Sequence, residues 1–211
     1  MAFVDLEDFL ARARLRLDSV EGAEKLSEGG DVELLDSDGI ASIRRAAVLV
    51  SIIRRPEGPT TLLTHRPDTM PTHAGQVAFP GGKVDPVDAD EVEAALREAH
   101  EEVGVEPDSV ELVARCAPYI TGTGFRIVPV IGILPDDFVP KPDPTEVESV
   151  FETPLSFLMN GKNHHERSAQ WNGQRRYYYE MPYQGHRIWG VTAGIIRALY
   201  ERLYDLGEEA A

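Results

Sequence analysis

The chain is poor in the features that staple, anchor or steer other classes of protein. One cysteine, Cys116, stands among 211 residues, so no internal disulfide can form and a reducing compartment is expected. No apolar run approaches the ~20 residues that a membrane-crossing helix needs. Met1 to Asp5 lack the basic start and apolar core of a secretory leader, and Glu208 to Ala211 carry no address signal, so a cytoplasmic location is expected. Positive charge is also scarce: 21 Lys and Arg against 36 Asp and Glu give a formal net charge of -15. Such a surface repels nucleic acid and acidic membranes, and neither is an expected partner. A small anionic substrate would need a site made locally positive by a metal ion, Arg or Lys.

What is present is the composition of a soluble globular protein, 42% hydrophobic and 27% charged, long enough for one domain plus an added segment. Residues 4 to 17 follow a helical period through Leu6, Phe9, Leu10, Ala13 and Leu17, with Arg12, Arg14 and Arg16 on the wet side. Residues 18 to 42, rich in Gly, Asp, Glu and Ser, read as a mobile acidic linker. Residues 1–42 are therefore assigned to a terminal helix and linker, and 43–211 to the main domain.

In that domain, residues 46 to 53 and 60 to 65 are predicted to form a hairpin around Pro56-Glu57-Gly58-Pro59. Further strands are predicted at 76–79, 110–117, 126–134, 147–151 and 187–189. Asn172-Gly173 is a hairpin dipeptide joining 164–171 to 174–180. A helical turn is predicted at 155–159, and a final helix capped by Thr192 runs to about Leu206. Trp189 is assigned to the core, Tyr177 to Tyr179 to a strand with alternating buried rings, His164 and His165 to the surface, and Cys116 to an inert apolar strand. Strands outnumber helices in a mixed order, which argues for a mixed sheet covered by helices.

The chemistry concentrates in Gly81-Gly82 and Arg97-Glu98-Ala99-His100-Glu101-Glu102-Val103-Gly104-Val105. Val92, Ala95, Leu96, Ala99 and Val103 make a buried stripe for a helix over 90–103, stopped by Gly104. Residues three and four apart share a helix face, so Glu98, Glu101 and Glu102 converge. Crowded carboxylates repel, and a hard divalent cation that takes oxygen ligands relieves the repulsion. Such ions pair with phosphate oxygens, which points to metal-assisted cleavage of a phosphate compound. Lys83, directly after the glycines, is a candidate phosphate contact, with Arg66 and Arg126 as weaker ones; for Lys83 and Arg66, plain surface charge is an equal alternative.

Arg97 through Val105 resembles the second half of the signature of the Nudix hydrolase family, Arg-Glu-apolar-x-Glu-Glu-x-Gly-apolar, with Phe79-Pro80-Gly81-Gly82 upstream. The loop from Gly82 to Arg97 is one residue longer than the common spacing, and Ala89, flanked by Asp88 and Asp90, stands where an early Glu is usual. The segment Leu62-Leu63-Thr64-His65-Arg66 followed by Gly75-Gln76-Val77-Ala78-Phe79-Pro80-Gly81-Gly82 looks like the coenzyme A pyrophosphatase branch. Asp85 to Asp88, Glu146 to Phe151 with Pro154-Leu155, and Trp189 to Ala193 also look like that branch. Pro67 and Pro71 depart from it, replacing an expected Ser and Arg.

The resemblance spans about residues 43 to 200 and implies an α/β fold: a Nudix-type α/β/α sandwich with a mixed β-sheet, here with an N-terminal helical extension. It implies Mg²⁺ or Mn²⁺ held by the Gly81 carbonyl, Glu98, Glu101 and Glu102. Glu98 or Glu146 would be the proton acceptor, and Arg97 would hold a neighbouring carboxylate in place. The implied substrate is the diphosphate bridge of coenzyme A or acyl-CoA. ADP-ribose, a dinucleotide or a nucleoside triphosphate is the second choice, and a ligand-sensing module without catalysis the third. A homodimer is compatible with all of these.

Overall fold

A computed structural model of the chain describes residues 5–22, 25–32, 42–68, 75–171 and 173–205. Pro71, His73, Asn172 and Leu206, together with parts of the 18–42 segment and both chain ends, lie outside the described residues.

Two long strands build the middle of the molecule. β2 (Arg44–Ile52) and β8 (Phe125–Ile133) run parallel through an unbroken register from Arg44↔Phe125 to Ile52↔Ile133. Both are apolar along almost their whole length, the pattern of strands covered on both faces. Side chains alternate across the sheet, so Ala47 of β2 and Val128 and Val130 of β8 meet Val92, Ala94 and Ala95 of helix α2 (Glu91–Val103) on one side. Val50, Ile52, Ile131 and Ile133 meet helix α1 (Leu6–Arg16) and the last helix on the other. The rest of this mixed sheet is β1 (Gly29–Gly30), β5 (Gly81–Lys83), β6 (Glu111–Arg115) and β7 (Tyr119–Ile120), in the order β1-β7-β8-β2-β5 with β6 also paired to β8.

The predicted hairpin of residues 46–53 with 60–65 is not formed as a ladder. β3 (Thr60–His65) meets the end of β2 through a single bridge, Ile53↔Thr60, and then enters a second antiparallel sheet between β4 (Val77–Ala78) and β9 (Ser149–Pro154). On the edge that β3 would use, β5 covers β2 only from Ala46 to Val48; past the bridge the Leu62 amide donates to the Ser51 side chain at 3.2 Å instead of to main chain, and β3 pairs along its whole length with β9. A third sheet joins β10 (His165–Trp171), β11 (Gln174–Tyr183) and β12 (His186–Trp189), with β10 and β11 antiparallel as Asn172-Gly173 predicts. A helical turn, α3 (Leu155–Leu158), follows β9, and α4 (Gly190–Leu203) closes the chain. No helix among the described residues is long and apolar enough to cross a membrane.

Several local expectations are corrected. Thr192 does not cap α4. It lies inside the helix, and its buried hydroxyl donates to the Val77 carbonyl at 2.9 Å, pinning α4 to β4. His164 is buried, with its Nε2 2.7 Å from the Leu158 carbonyl, while its neighbour His165 is exposed. Trp189 is half-buried outside the core, edge-on to Tyr178 and capped by Arg187 at 4.5 Å. Of the three tyrosines, Tyr179 reaches the core but Tyr177 on the same face is 64% exposed, because the β10–β11 hairpin projects past the packed layer.

The N-terminal helix is docked on α4, and in the 18–42 segment Asp18, Gly29 and Gly30 pair with the main sheet. Arg12 and Arg16 donate to the Leu203 carbonyl at 3.1 and 3.2 Å, placing cations at the negative end of α4. Phe9, Leu10 and Ala13 share one core with α4. Gly29 and Gly30 add a parallel edge to β7.

Candidate active site

Asp90 caps the glutamate helix by accepting from the amides of Val92 and Glu93 at 2.9 and 3.0 Å. Gly104 ends it in the left-handed conformation, φ 72°, which glycine adopts without penalty. The buried stripe fixes the rotation of the helix and turns Glu98 and Glu102 toward the Gly81-Gly82 turn. The backbone there is glycine-specific. Gly81 has φ 152°, and a Cβ on it would overlap the Ala47 carbonyl and the Val48 backbone. A Cβ on Gly82 would overlap the Glu98 carboxylate instead. The turn and the helix are therefore in contact at the place where the carboxylates gather.

Glu102 is 2% exposed. Its carboxylate accepts from the Gly81 amide at 3.1 Å and faces Arg66 Nη1 at 3.6 Å. Burial pushes its pKa up to about 7; the Gly81 amide and Arg66 oppose the rise, and the charges of Glu98 and Glu146 add to it. Glu98, also largely covered, is raised chiefly by burial, against the Arg97 hydrogen bond and with contributions from Glu101 and Glu146. Glu146 is thus electrostatically part of the group, although it is exposed and comes from the segment before β9.

Arg97 organises the remaining carboxylates. Its Nη1 lies 3.0 Å from both Glu98 and Glu101, and its Nη2 donates to the Lys83 carbonyl at 3.1 Å. Its Nε and Nη2 grip both oxygens of Asp88 at 2.9 and 3.0 Å. Asp88 is the partner that the sequence reading did not assign. The Asp88 side chain is 2% exposed, and its carboxyl is held below the usual range chiefly by this hydrogen bond. The available signal was an acid one position from the unmatched Ala89. Asp88→Ala is expected to cost about 1–3 kcal/mol, since a charge-assisted bidentate pair is lost. Urea unfolding would measure it, and a midpoint equal to that of the parent protein would show Arg97 held by its other partners alone.

Two other candidates stand apart from this cluster. Arg126 is engaged by Glu28 at 2.6 Å and by Glu91, at the start of α2, at 3.4 Å. Lys83 is exposed and joins the cluster through its backbone carbonyl. Arg66 is better placed: it faces Glu102, and its buried Nε makes no hydrogen bond to a described residue.

As the side chains stand, no three His, Cys, Asp or Glu residues among the described ones are grouped to hold a metal ion. Arg97 and Arg66 supply the positive charge instead. The chemistry of the donor set nonetheless fits a hard cation. The set consists of carboxylate oxygens, two of the carboxyls have raised pKa values, and the bare Gly82 leaves the Glu98 carboxylate the space that a Cβ would take.

Residues 43–172 match the family described as NUDIX domain. Among curated relatives, "Uncharacterized Nudix hydrolase NudL" of Enterobacter sp. (strain 638) is 45% identical over 163 residues, covering 77% of this chain and 84% of the relative. The protein of the same name from Escherichia coli (strain K12 / DH10B) is 44% identical over 156 residues, covering 74% and 81%. Among solved structures, a NUDIX hydrolase from Alicyclobacillus acidocaldarius is 18% identical with a TM-score of 0.48, covering 78% of this chain and 94% of that one.

Proposed function

The chain belongs to the NUDIX domain family, and from that premise we propose that it hydrolyses the diphosphate bridge of coenzyme A or an acyl-CoA, giving phosphopantetheine and adenosine 3′,5′-bisphosphate. The observation that carries the hydrolytic reading is the meeting of Glu98 and Glu102 with the Gly81-Gly82 turn. The substrate reading rests on the upstream motif that runs from Leu62 to Gly82.

Glu98, Glu101, Glu102 and the Gly81 carbonyl would hold Mg²⁺ or Mn²⁺. A bound divalent cation neutralises charge on the diphosphate oxygens and makes water more acidic. The protein's own groups do the rest. The Gly81 amide fixes the rotamer of Glu102 through its 3.1 Å bond. Arg97, anchored by Asp88, keeps Glu98 and Glu101 near the turn. Arg66 faces Glu102, its Nε making no hydrogen bond to a described residue, and is the first candidate to grip a substrate phosphate. Glu98 and Glu146 are the two candidate proton acceptors; Glu98→Gln would weaken both metal affinity and turnover, whereas Glu146→Gln would lower kcat alone if it is the base.

The test is product analysis by mass spectrometry after incubation with coenzyme A and Mg²⁺, in parallel with ADP-ribose, a dinucleotide and nucleoside triphosphates. Phosphopantetheine and adenosine 3′,5′-bisphosphate are the expected products. Efficient cleavage of ADP-ribose with coenzyme A untouched would select the second reading, which Pro71 in place of the expected Arg favours. Ligand binding without turnover of any of them would select a sensing module, against which the three intact glutamates stand.

A further inference from the structure

The sheet has a second concave site on the face away from the glutamate helix. Pro129 of β8 points opposite to Val128 and Val130, and with the last helix it borders a cavity of about 490 Å³, within the range that takes small molecules. Leu17, Leu26, Tyr119, Pro129, Ile195 and Leu199 supply apolar wall.

Lys25 and Leu26 are held in place on one wall. The buried Asp18 carboxylate accepts from their amides at 2.9 and 3.1 Å, and the Asp18 backbone exchanges hydrogen bonds with Arg115. Leu26 and α4 lie outside residues 43–172 and Cys116, Tyr119 and Pro129 inside them, so the cavity lies between the matched segment and its flanks.

The polar groups on its lining are unevenly balanced. Lys25 and Arg202 are both exposed. Arg202 donates through Nε to the Arg16 carbonyl at 3.1 Å, and among the described residues neither cation is paired with a carboxylate. Glu201, the acid on the lining, is held by Arg197 at 2.6 Å. The Tyr119 hydroxyl makes no hydrogen bond to a described residue. In a chain of net charge -15, two carboxylate-free cations beside an apolar hollow select an amphiphile with one anionic head.

We propose that this cavity binds a medium-chain fatty carboxylate, with its tail between Leu26 and α4 and its head on Lys25 and Arg202. A neutral hydrocarbon would leave both cations unanswered, and a cationic amphiphile would be repelled by them. The site is separate from the diphosphate centre and does not depend on which substrate is cleaved there.

The full-length protein would be titrated with decanoate below its micellar concentration by calorimetry and thermal shift, with decanol and decyltrimethylammonium as controls. Decanoate is expected to saturate one site and raise Tm. Decanol should bind about tenfold more weakly, for two partly exposed ion pairs, and the cationic analogue should not saturate. The double variant Lys25→Ser/Arg202→Gln, which changes exposed side chains, should bring decanoate down to the decanol level. Ala198→Trp, at an exposed position on the lining, should block both. Equal binding of decanoate and decanol, an undiminished carboxylate preference in the double variant, or no saturable binding in the parent protein would each overturn the proposal.

Discussion

Glu102→Gln lowers turnover of the diphosphate substrate by more than about 100-fold while the protein stays folded and, in the absence of metal, becomes harder to unfold. Partners that merely orient a metal ligand are worth about 10–100-fold, and a direct carboxylate ligand should exceed that. The stability gain has the opposite origin. A carboxylate that is 2% exposed, near Glu98 and Glu146, is costly to ionise. The neutral amide has the same shape and can still accept from the Gly81 amide. Each kcal/mol recovered should raise Tm by about 2–4 °C in a chain of this size.

The sign of the pH dependence follows from the same group. The folded pKa, about 7, lies above the ordinary value of 4.5. Between these values the native state holds more protons than the unfolded chain, so stability falls as pH rises and levels off above about pH 7. Metal-free parent protein in EDTA should therefore be more stable at pH 5.5 than at pH 8. Glu102→Gln should flatten that slope. Thermal melts at the two pH values measure both effects, and parallel slopes in parent and variant would place the burden on other groups. Unchanged turnover in the variant would remove Glu102 from the metal site.

The helix that carries the site was legible in the sequence because it is local: an apolar stripe, a cap and a terminal glycine define it, and it is found at Glu91–Val103. The central strands were legible for the same reason: each is a run too apolar to be anything but covered. The grouping of the helix's three glutamates was not, because Arg97 holds Glu98 and Glu101 while Glu102 is buried against Gly81. What the sequence concealed depends on who lies beside whom. The hairpin of 46–53 with 60–65 satisfies every local rule, yet beyond the Ile53↔Thr60 bridge β3 takes its partner from β9, about 90 positions away in the chain. Thr192 looks like a cap, but the carbonyl that needs its hydroxyl belongs to Val77, 115 positions away. Asp88 was hidden by a one-residue offset: the longer loop carries a carboxylate to Arg97 from a neighbouring position, and spacing alone does not reveal that. Arg126 sits on the right sheet, but Glu28 and Glu91 hold it.

Adjacent glycines in the turn should separate folding from catalysis. Gly81→Ala is expected to destabilise the protein by about 3 kcal/mol or more, combining an unfavourable positive φ with overpacking. Its Cβ meets main chain, the Ala47 carbonyl and Val48 Cα, and β2 is pinned between β8 and β5, so nothing there can yield. The atoms that Gly82→Ala meets first are the free end of Glu98. That carboxylate can swing aside, so unfolding midpoints should change little. Swinging aside, however, removes Glu98 from the turn at which the metal set would assemble, and a displacement of about 1 Å is enough to cost roughly 100-fold in rate. The pair therefore predicts a crossed outcome: low soluble yield and a low melting point for Gly81→Ala, and near-normal melting with a collapsed kcat for Gly82→Ala. Normal turnover in Gly82→Ala would mean that the Glu98 carboxylate is not needed where it now lies, and the catalytic assignment would pass to Glu101, Glu102 and Glu146.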